Sequence, residues 1–303
     1  MSFNLDNIDS KDKIIIIGHS NPDVDSIVSG YLLEKLLRKK KINAEFIIPD
    51  LKIEQENIDI CNKYGLDPTI FQKELPKEKS KYILVDHNNS LVNGEVICII
   101  DHHPFIEGVN ANNIYNKNIS SASCFICKDN EKYFSKEDIT LACVATMVDT
   151  ASFHSSKSRD IDKEWVKKMC FDYNIDYDDI YKTGLCLTDI SNINIAAFNG
   201  IKKYSFNGIK LESSYIQVED AKNNHKIISE IINYLKSYLI DNELDCFVFI
   251  YHNMTDFEST AYRIDTNDVV TYHFDQYTAR GSKIIPTIKK DLLKKIDIKC
   301  KLS

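Results

Sequence analysis

The sequence lacks an excess of basic residues and lacks a long apolar run. Its 38 lysines and arginines stand against 45 aspartates and glutamates, which leaves a net charge of −7. Without a positive excess, the chain has no general electrostatic attraction to nucleic acid or to a membrane surface. Its apolar runs are also far shorter than the roughly 20 residues that a membrane span needs. We therefore expect neither a nucleic-acid partner nor a membrane.

A disulfide framework is also missing. The nine cysteines are odd in number and irregularly spaced, which is typical of a reducing compartment. Cys124 and Cys127 form a CxxC, but no second CxxC or nearby Cys/His pair completes a zinc site, so we expect two buried core residues. The N-terminal segment "MSFNLDNIDSKDK" is polar and acidic rather than basic and then apolar. That segment does not resemble a secretory signal, and we expect a cytoplasmic protein.

The first half of the chain predicts a parallel sheet. Short β-branched runs without polar alternation, which are typical of strands covered on both faces, lie at 13–19, 44–49, 81–87 and 95–103. Residues 25–41 have helical apolar spacing and lie between the first two runs, which gives a βαβ pattern. A largely buried helix over 135–150 opens with Ser135 and Asp138, the spacing of a capping box.

A second α/β unit follows a lapse in periodicity at 189–197, where we place a linker. Beyond it, the strands "IKLESSYIQVED" and "LDCFVFIYHN" flank a long amphipathic helix, "EDAKNNHKIISEIINYLKSYLIDN". We predict one domain over 1–188 and a smaller domain over 198–303. The expected fold is an α/β protein whose N-terminal parallel sheet carries helices on both faces, followed by a smaller C-terminal α/β domain.

Four apolar segments run directly into aspartate or histidine. The polar residues that follow them are His19, Asp23 and Asp25, then Asp86 and His87, then Asp101, His102 and His103, and finally Asp149. The carboxyl ends of neighbouring parallel strands meet at one edge of a sheet, so these side chains can converge. Several aspartates at one place stay ionised only if cations neutralise them.

The chemistry of this donor set points to transition metals. Imidazole mixed with carboxylate suits Mn²⁺, Co²⁺, Fe²⁺ or Zn²⁺ better than Ca²⁺, and aspartates that bridge two ions are typical of hydrolases. Each residue also has a simpler interpretation, since Asp23 or Asp25 could cap the helix that follows. His87 is interpreted as a structural histidine. The joint pattern after three strands and a helix favours a two-metal hydrolase.

The motifs "GHSNPDVDSI", "VDHN", "IDHH" and "VDT", within residues 14–155, resemble those of the DHH phosphoesterases. They are most similar to manganese-dependent (family II) inorganic pyrophosphatases and to exopolyphosphatases. The resemblance implies two Mn²⁺ ions, with Co²⁺ or Mg²⁺ as possible substitutes. It places one ion on His19, Asp23, Asp86 and Asp149, and the other on Asp25, Asp86, His102 and Asp149.

The same resemblance implies roles for two further residues and for water. His103 would be a phosphate ligand or proton donor, and Asp101 would orient a histidine. The nucleophile would be a water that bridges the metals, and the protein would be a homodimer. The activity implied is hydrolysis of pyrophosphate to two phosphates. Exopolyphosphatase activity, or phosphodiesterase activity on a short or cyclic nucleotide, is the alternative, and a non-catalytic metal- or phosphate-binding module is a third.

The resemblance further implies that the domain over 1–188 is the metal-binding catalytic domain, that the domain over 198–303 binds the substrate, and that the active site lies in the cleft between them. Substrate-binding cations are therefore expected in the second domain. The resemblance implies Lys202 and Arg280, in the segments "GIKKYSFNG" and "ARGSKIIP". Two positions depart from the family pattern, because Gly200 replaces an aspartate and Gly281 replaces a lysine. Lys283 is a candidate for the missing charge. No GGGH-like string is found, which counts against oligonucleotide substrates.

Overall fold

The computed structural model of the chain describes residues 13–49, 52–89, 92–104, 111–116, 118–219 and 224–302. The chain divides into two compact units: one runs to Phe153 and resumes from Lys157 to Gly184, and the other holds His154–Ser156 and the chain from Leu185 onward. The boundaries predicted at 188 and 198 stay predictions. Residues 1–12, in the polar N-terminal segment, and 220–223, in the predicted long helix, lie outside the described residues.

The first unit is built on a parallel sheet. Its strands are β1 (Ile14–Ile17), β2 (Ala44–Ile47), β3 (Ser80–Val85), β4 (Gly94–Asp101) and β5 (Asn113–Asn116). Its helices are α1 (Val24–Lys39), α2 (Gln55–Lys63), α3 (Ala122–Lys128), α4 (Lys136–Asp149), α5 (Asp160–Asp172) and α6 (Tyr177–Gly184). The strand order is β2-β1-β3-β4-β5 with every pair parallel. The predicted α/β fold is confirmed, whereas β5 was not predicted.

The position of β1 creates a crevice at one edge of this sheet. Its four isoleucines are at most 2% exposed, and they alternate between two apolar clusters on opposite faces. Strands β2 and β3 pair with opposite sides of β1. The connections after β1 therefore run first to one side of it and then to the other, which makes β1 the switch point of the sheet. Such a switch point opens a crevice beyond the carboxyl ends of the strands.

At α4, the predicted capping box between Ser135 and Asp138 is present.

The second unit contains a mixed sheet between two helices. Its elements are α7 (Ile193–Ala196), β6 (Lys202–Phe206), β7 (Ile209–Val218), α8 (His225–Asp241), β8 (Cys246–Asn253), β9 (Glu258–Ile264), β10 (Val269–Phe274) and α9 (Ile285–Leu302). The sheet order is β10-β9-β8-β7-β6, with only β7 and β8 parallel among these strands. Residues of α8 pack against Phe247 and Phe249, and those of α9 pack against Val248 and Ile250. In the described part of the chain, no helix combines the length and the apolar character that crossing a membrane requires.

Candidate metal centre

His19 and Asp23 form the first part of the site, just beyond β1. The ring nitrogen Nδ1 of His19 lies 2.8 Å from the Ser20 carbonyl oxygen, and a hydrogen bond there leaves Nε2 as the ligand atom. This Nε2 is 3.4 Å from Asp23 Oδ2 and 3.4 Å from Asp86 Oδ2. Asp23 also caps α1, because its Oδ1 accepts a hydrogen bond from the Ser26 N–H at 3.0 Å. The helix-cap and metal-ligand interpretations therefore describe different oxygens of one carboxylate.

Asp86 joins the two halves of the site. It follows β3 directly and has a left-handed backbone with φ of 60°, a conformation that aspartate tolerates better than most residues. Its N–H donates to the Ile100 carbonyl at 2.8 Å, which ties this turn to β4. One carboxylate oxygen faces His19, and the other lies 3.0 Å from Nε2 of His102. Among the described residues, three groups could hold a metal ion, and Asp86 belongs to two of them, one with His19 and Asp23 and one with His102 and His103.

His102 lies among three carboxylates. Its Nε2 is 3.0 Å from Asp86 Oδ1, 3.4 Å from Asp149 Oδ2 and 3.8 Å from Asp25 Oδ2. The backbone N–H groups of Ala122 and Ser123, at the start of α3, hold the Asp25 carboxylate with hydrogen bonds of 2.7 and 3.0 Å. The six residues predicted as ligands thus lie near one another, with Asp23 and Asp86 beside His19, and Asp25, Asp86 and Asp149 beside His102. Their assignment to two ions, with Asp149 shared by both, stays a prediction.

Asp101 and His103 lie beside these ligands. Oδ1 of Asp101 accepts hydrogen bonds from the backbone N–H groups of His102 and His103, and lies 2.9 Å from Nδ1 of His103. Asn88 donates to the other oxygen of Asp101. Burial raises the pKa of Asp101, but these hydrogen bonds lower it more, so the carboxylate stays ionised. The His103 side chain is 38% exposed, which leaves it accessible to a ligand.

His87, the histidine interpreted as structural, is buried. Its Nδ1 lies 2.9 Å from the Val85 carbonyl oxygen, and burial lowers its pKa. Cys124 and Cys127 of the CxxC are also buried, as expected, and burial raises the pKa of both thiols.

Crowded carboxylates make the site favourable for cations. Burial, followed by the charges of Asp25 and Asp23, raises the pKa of Asp86 well above its usual range. Burial and the charge of Asp149 likewise raise the pKa of Asp25. Oδ2 of Asp86 and Oδ2 of Asp149 are buried without a hydrogen-bond partner, although both lie next to histidine nitrogens. Buried oxygens of this kind, next to imidazole, fit Mn²⁺ or a similar ion.

Lys157 is a residue of the site that the sequence did not reveal. Its Nζ lies 2.5 Å from Oδ1 of Asp149. Burial lowers the pKa of Lys157, but Asp149, and then the charges of Asp86 and Asp23, raise it more, so the ammonium stays protonated. The sequence around Lys157 does not distinguish it from the other lysines and arginines, which number 38 in all. Asn88, which donates to Asp101, directly follows "VDH", and this position could have indicated a place in the site.

In the second unit, Arg280 and Lys202 both lie next to Ser213. Arg280 is half-buried and donates through Nη1 to the carbonyl oxygens of Gly200 and Ser213. Its guanidinium carbon lies 5.2 Å from the centre of the Tyr215 ring. Ser213 is also the register partner of Lys202 in the β6–β7 pair, which brings both predicted cations to one end of these strands. Lys283 is exposed, three residues beyond Arg280 in a π-helical turn.

The two departures from the family pattern have different structural settings. Gly200 has φ of +57°, and a Cβ atom there would overlap the ring of Tyr215. An aspartate would therefore displace the ring over which Arg280 lies. At Gly281, apart from the glycine itself and its two chain neighbours, no heavy atom of the described residues lies within 4 Å of the position that a Cβ atom would occupy. A lysine would fit at 281, so packing does not explain its absence.

Comparison with known proteins identifies the family. Residues 13–171 match the family described as "DHH family, N-terminal domain". The chain belongs to the DHH family. This DHH protein is 26% identical over 258 residues to the manganese-dependent inorganic pyrophosphatase of Methanothrix thermoacetophila, a match that covers 79% of this chain and 81% of that relative. It is 24% identical over 276 residues to the manganese-dependent inorganic pyrophosphatase of Bacillus subtilis, covering 84% and 86%.

A solved structure supports the fold of this DHH protein. It is a Methanococcus jannaschii protein assigned to the family II inorganic pyrophosphatases, with a TM-score of 0.64 and 20% identity. The superposition covers 91% of this chain and 98% of the other. The resemblance seen in the motifs is thereby confirmed at the level of family and fold. Both curated relatives are named as manganese-dependent inorganic pyrophosphatases, which are hydrolases.

Proposed function

We propose that this DHH protein hydrolyses inorganic pyrophosphate to two phosphates with the help of two Mn²⁺ ions. The observation that carries the proposal is the position of Asp86, whose two carboxylate oxygens face His19 on one side and His102 on the other. A carboxylate shared in this way suits a pair of ions rather than a single one. The names of the manganese-dependent relatives support both the metal and the substrate.

The chain supplies the ligands and the groups that face the substrate. His19, Asp23 and Asp86 would hold one ion, and Asp25, His102 and Asp149 would complete the second with Asp86. When bound, two divalent ions neutralise the carboxylates and lower the pKa of a water molecule, which provides a nucleophile at neutral pH. No serine or cysteine nucleophile is required.

His103 is the proposed proton donor or phosphate ligand. Oδ1 of Asp101 accepts a hydrogen bond from Nδ1 of His103. Nε2 is therefore the ring nitrogen that can reach a phosphoryl or leaving-group oxygen. The hydrogen bond to Asp101 fixes the plane of the His103 ring. In the second unit, Lys202 and Arg280 are the proposed cations for the phosphate groups, with Lys283 as a further candidate.

Exopolyphosphatase activity is the second candidate, and the open setting of Gly281 favours it. This residue has no side chain, and in the described part of the chain no heavy atom beyond its two sequence neighbours lies within 4 Å of the point where a Cβ atom would stand. Space is therefore left where the resemblance expects a lysine. A longer chain of phosphates could use that space, because its charge is spread over more atoms. Phosphodiesterase activity on a short or cyclic nucleotide belongs in the same comparison.

A substrate panel tests the proposal. Purified protein with Mn²⁺, Co²⁺ or Mg²⁺ is given pyrophosphate, long-chain polyphosphate and a cyclic dinucleotide, and released phosphate or nucleotide is measured. We expect phosphate from pyrophosphate, abolished in Asp149→Ala and retained in Asp178→Ala, which removes an exposed carboxylate of α6. A rate equal to that of Asp149→Ala would refute hydrolysis of pyrophosphate. Phosphate released from long chains alone would favour the second candidate.

The assembly state is proposed from the resemblance alone. We expect a homodimer, and light scattering of the purified protein in solution distinguishes it from a monomer.

A further inference from the structure

The loop after α4 returns the chain to the metal centre. Ala151, Ser152 and Phe153 all have a left-handed backbone, with φ of 47°, 53° and 67°. Such a conformation is unfavourable for residues other than glycine, so three in a row need support from the surrounding structure. The Ser152 N–H donates to the Met147 carbonyl at 2.7 Å, and its hydroxyl donates to the Tyr181 carbonyl at 2.6 Å. Hydrogen bonds to α4 and to α6 therefore hold the loop in this conformation.

This loop precedes Lys157, whose ammonium lies at Asp149. Nζ of Lys157 is 2.5 Å from Oδ1 of Asp149, while Oδ2 of the same carboxylate lies 3.4 Å from Nε2 of His102. Asp149 thus presents one oxygen to the candidate metal ligands and the other to a cation of the chain. The Lys157 side chain is 31% exposed, so it lies at the border of the centre rather than deep in the core.

A count of charges indicates what Lys157 does when metals are bound. The four carboxylates of the centre, those of Asp23, Asp25, Asp86 and Asp149, carry up to four negative charges. Two divalent ions supply four positive charges and neutralise them. The fifth carboxylate, that of Asp101, is held by the N–H groups of His102 and His103 and by Asn88. The four ligand carboxylates then no longer need the ammonium of Lys157 for neutralisation, and an anion bound at the metals can contact it.

We infer that Lys157 is a substrate-binding residue, whose ammonium contacts a phosphate oxygen of pyrophosphate once the metal ions are in place. It would supply a positive charge in a chain where Gly281 replaces the lysine of the family pattern. The inference rests on the proposed function, because it needs a phosphate substrate at this centre. It concerns a residue outside the motifs that carry the family resemblance.

Binding of a substrate analogue tests this role without turnover. Methylenediphosphonate, whose P–C–P bridge resists hydrolysis, is titrated by calorimetry into protein saturated with Mn²⁺. We expect Lys157→Met to weaken its binding by about tenfold or more, which is the loss expected for a hydrogen bond between two charged groups. Lys157→Arg should restore most of the affinity. Lys168→Met, which removes an exposed lysine of α5 paired with Asp172, should bind like the unaltered protein.

Titration of Mn²⁺ alone separates substrate binding from a role in holding Asp149. If Lys157 contacts substrate, Lys157→Met binds Mn²⁺ at least as well as the unaltered protein, since a competing cation has been removed. Equal diphosphonate affinity in Lys157→Met and unaltered protein would overturn the inference, as would loss of Mn²⁺ binding in that variant. If the unaltered protein neither binds the diphosphonate nor hydrolyses pyrophosphate, the proposed function fails and the inference falls with it.

Discussion

Nε2 of His102 lies 3.0 Å from Oδ1 of Asp86, although the two residues follow different strands and are separated by 16 positions in the chain. Adjacent parallel strands β3 and β4 produce this proximity, because both end at the same edge of the sheet. Asp86 also faces His19 beyond β1. Three strand ends therefore supply one centre, and substitutions can test what each part of it does.

Asp86→Asn should impair both proposed metal ions, whereas Asp25→Asn should impair one. We expect each affected affinity for Mn²⁺ to fall at least tenfold, measured by calorimetry on chelator-treated protein. The pKa of Asp86 is raised in the metal-free protein, which means that its ionised form is unfavourable in the folded state. Replacing this carboxyl group by an amide should therefore not lower the free energy of unfolding of the metal-free protein. Asp178→Asn is the control. Two Mn²⁺ ions bound to Asp86→Asn with unaltered affinity would contradict the assignment.

Asp101→Asn should reduce turnover of pyrophosphate without reducing the number of bound ions. The substitution removes the negative charge that holds Nδ1 of His103, so kcat should fall by about 10- to 100-fold. Turnover is measured with saturating Mn²⁺, and the metal content is measured in parallel. His103→Ala should show a loss of similar size. Full activity in Asp101→Asn would show that the orientation of His103 does not depend on this carboxylate.

Gly200→Ala and Gly208→Ala separate backbone strain from steric overlap. Both glycines have positive φ, +57° and +80°, but only Gly200 has the Tyr215 ring where a Cβ atom would lie. We expect Gly208→Ala to lower the free energy of unfolding by about 1–2 kcal/mol. Gly200→Ala should cost about 1–3 kcal/mol more, because the ring must move. Urea unfolding followed by circular dichroism measures both, and equal losses would rule out the proposed overlap.

Gly281→Lys should be tolerated and should strengthen substrate binding. The open space around this position predicts a change in unfolding free energy within about 0.5 kcal/mol. The added ammonium should lower the KM for pyrophosphate severalfold. Gly281→Met, which adds a side chain of similar length without charge, serves as the control. A KM unchanged in both variants would show that position 281 does not contact the substrate.

His252 should make the second unit less stable below neutral pH. The residue is 2% exposed and lies 2.8 Å from the Ser259 hydroxyl through Nδ1. Burial, followed by the charge of Arg280, lowers its pKa from 6.5 to about 3. Between these values the unfolded chain binds a proton that the folded chain does not, so the stabilising contribution is complete above pH 6.5 and decreases as the pH falls.

From pH 7.5 to pH 5, this linkage should remove roughly 2 kcal/mol of unfolding free energy. The comparison is between unaltered protein and His252→Gln, which has no titrating ring at this position. Exposed His273→Gln controls for loss of a histidine as such. Urea unfolding at each pH gives the difference, and identical pH dependence in all three proteins would contradict a lowered pKa at His252.

Much of the first unit could be predicted from local sequence. Four buried isoleucines and three similar runs predict strands β1 to β4, because an apolar β-branched run without alternation needs cover on both faces. The capping box of Ser135 and Asp138 is equally local. Strand β5 has the short segment "NIYN", in which two residues are half-buried and two are exposed, so neither length nor periodicity distinguished it.

By itself, the sequence determined which side chains lie just beyond the strand ends, since the ligand candidates are covalently adjacent to elements whose patterns are strong. Only the tertiary structure decided how they meet: Asp23 divides its oxygens between Ser26 and His19, Asp25 is held by N–H groups of α3, and Arg280 bonds to carbonyls of Gly200 and Ser213. The position of Lys157 at Asp149 depends on a left-handed turn of ordinary residues, supported by distant hydrogen bonds. Contacts of that kind come from packing between elements, and no local pattern encodes them.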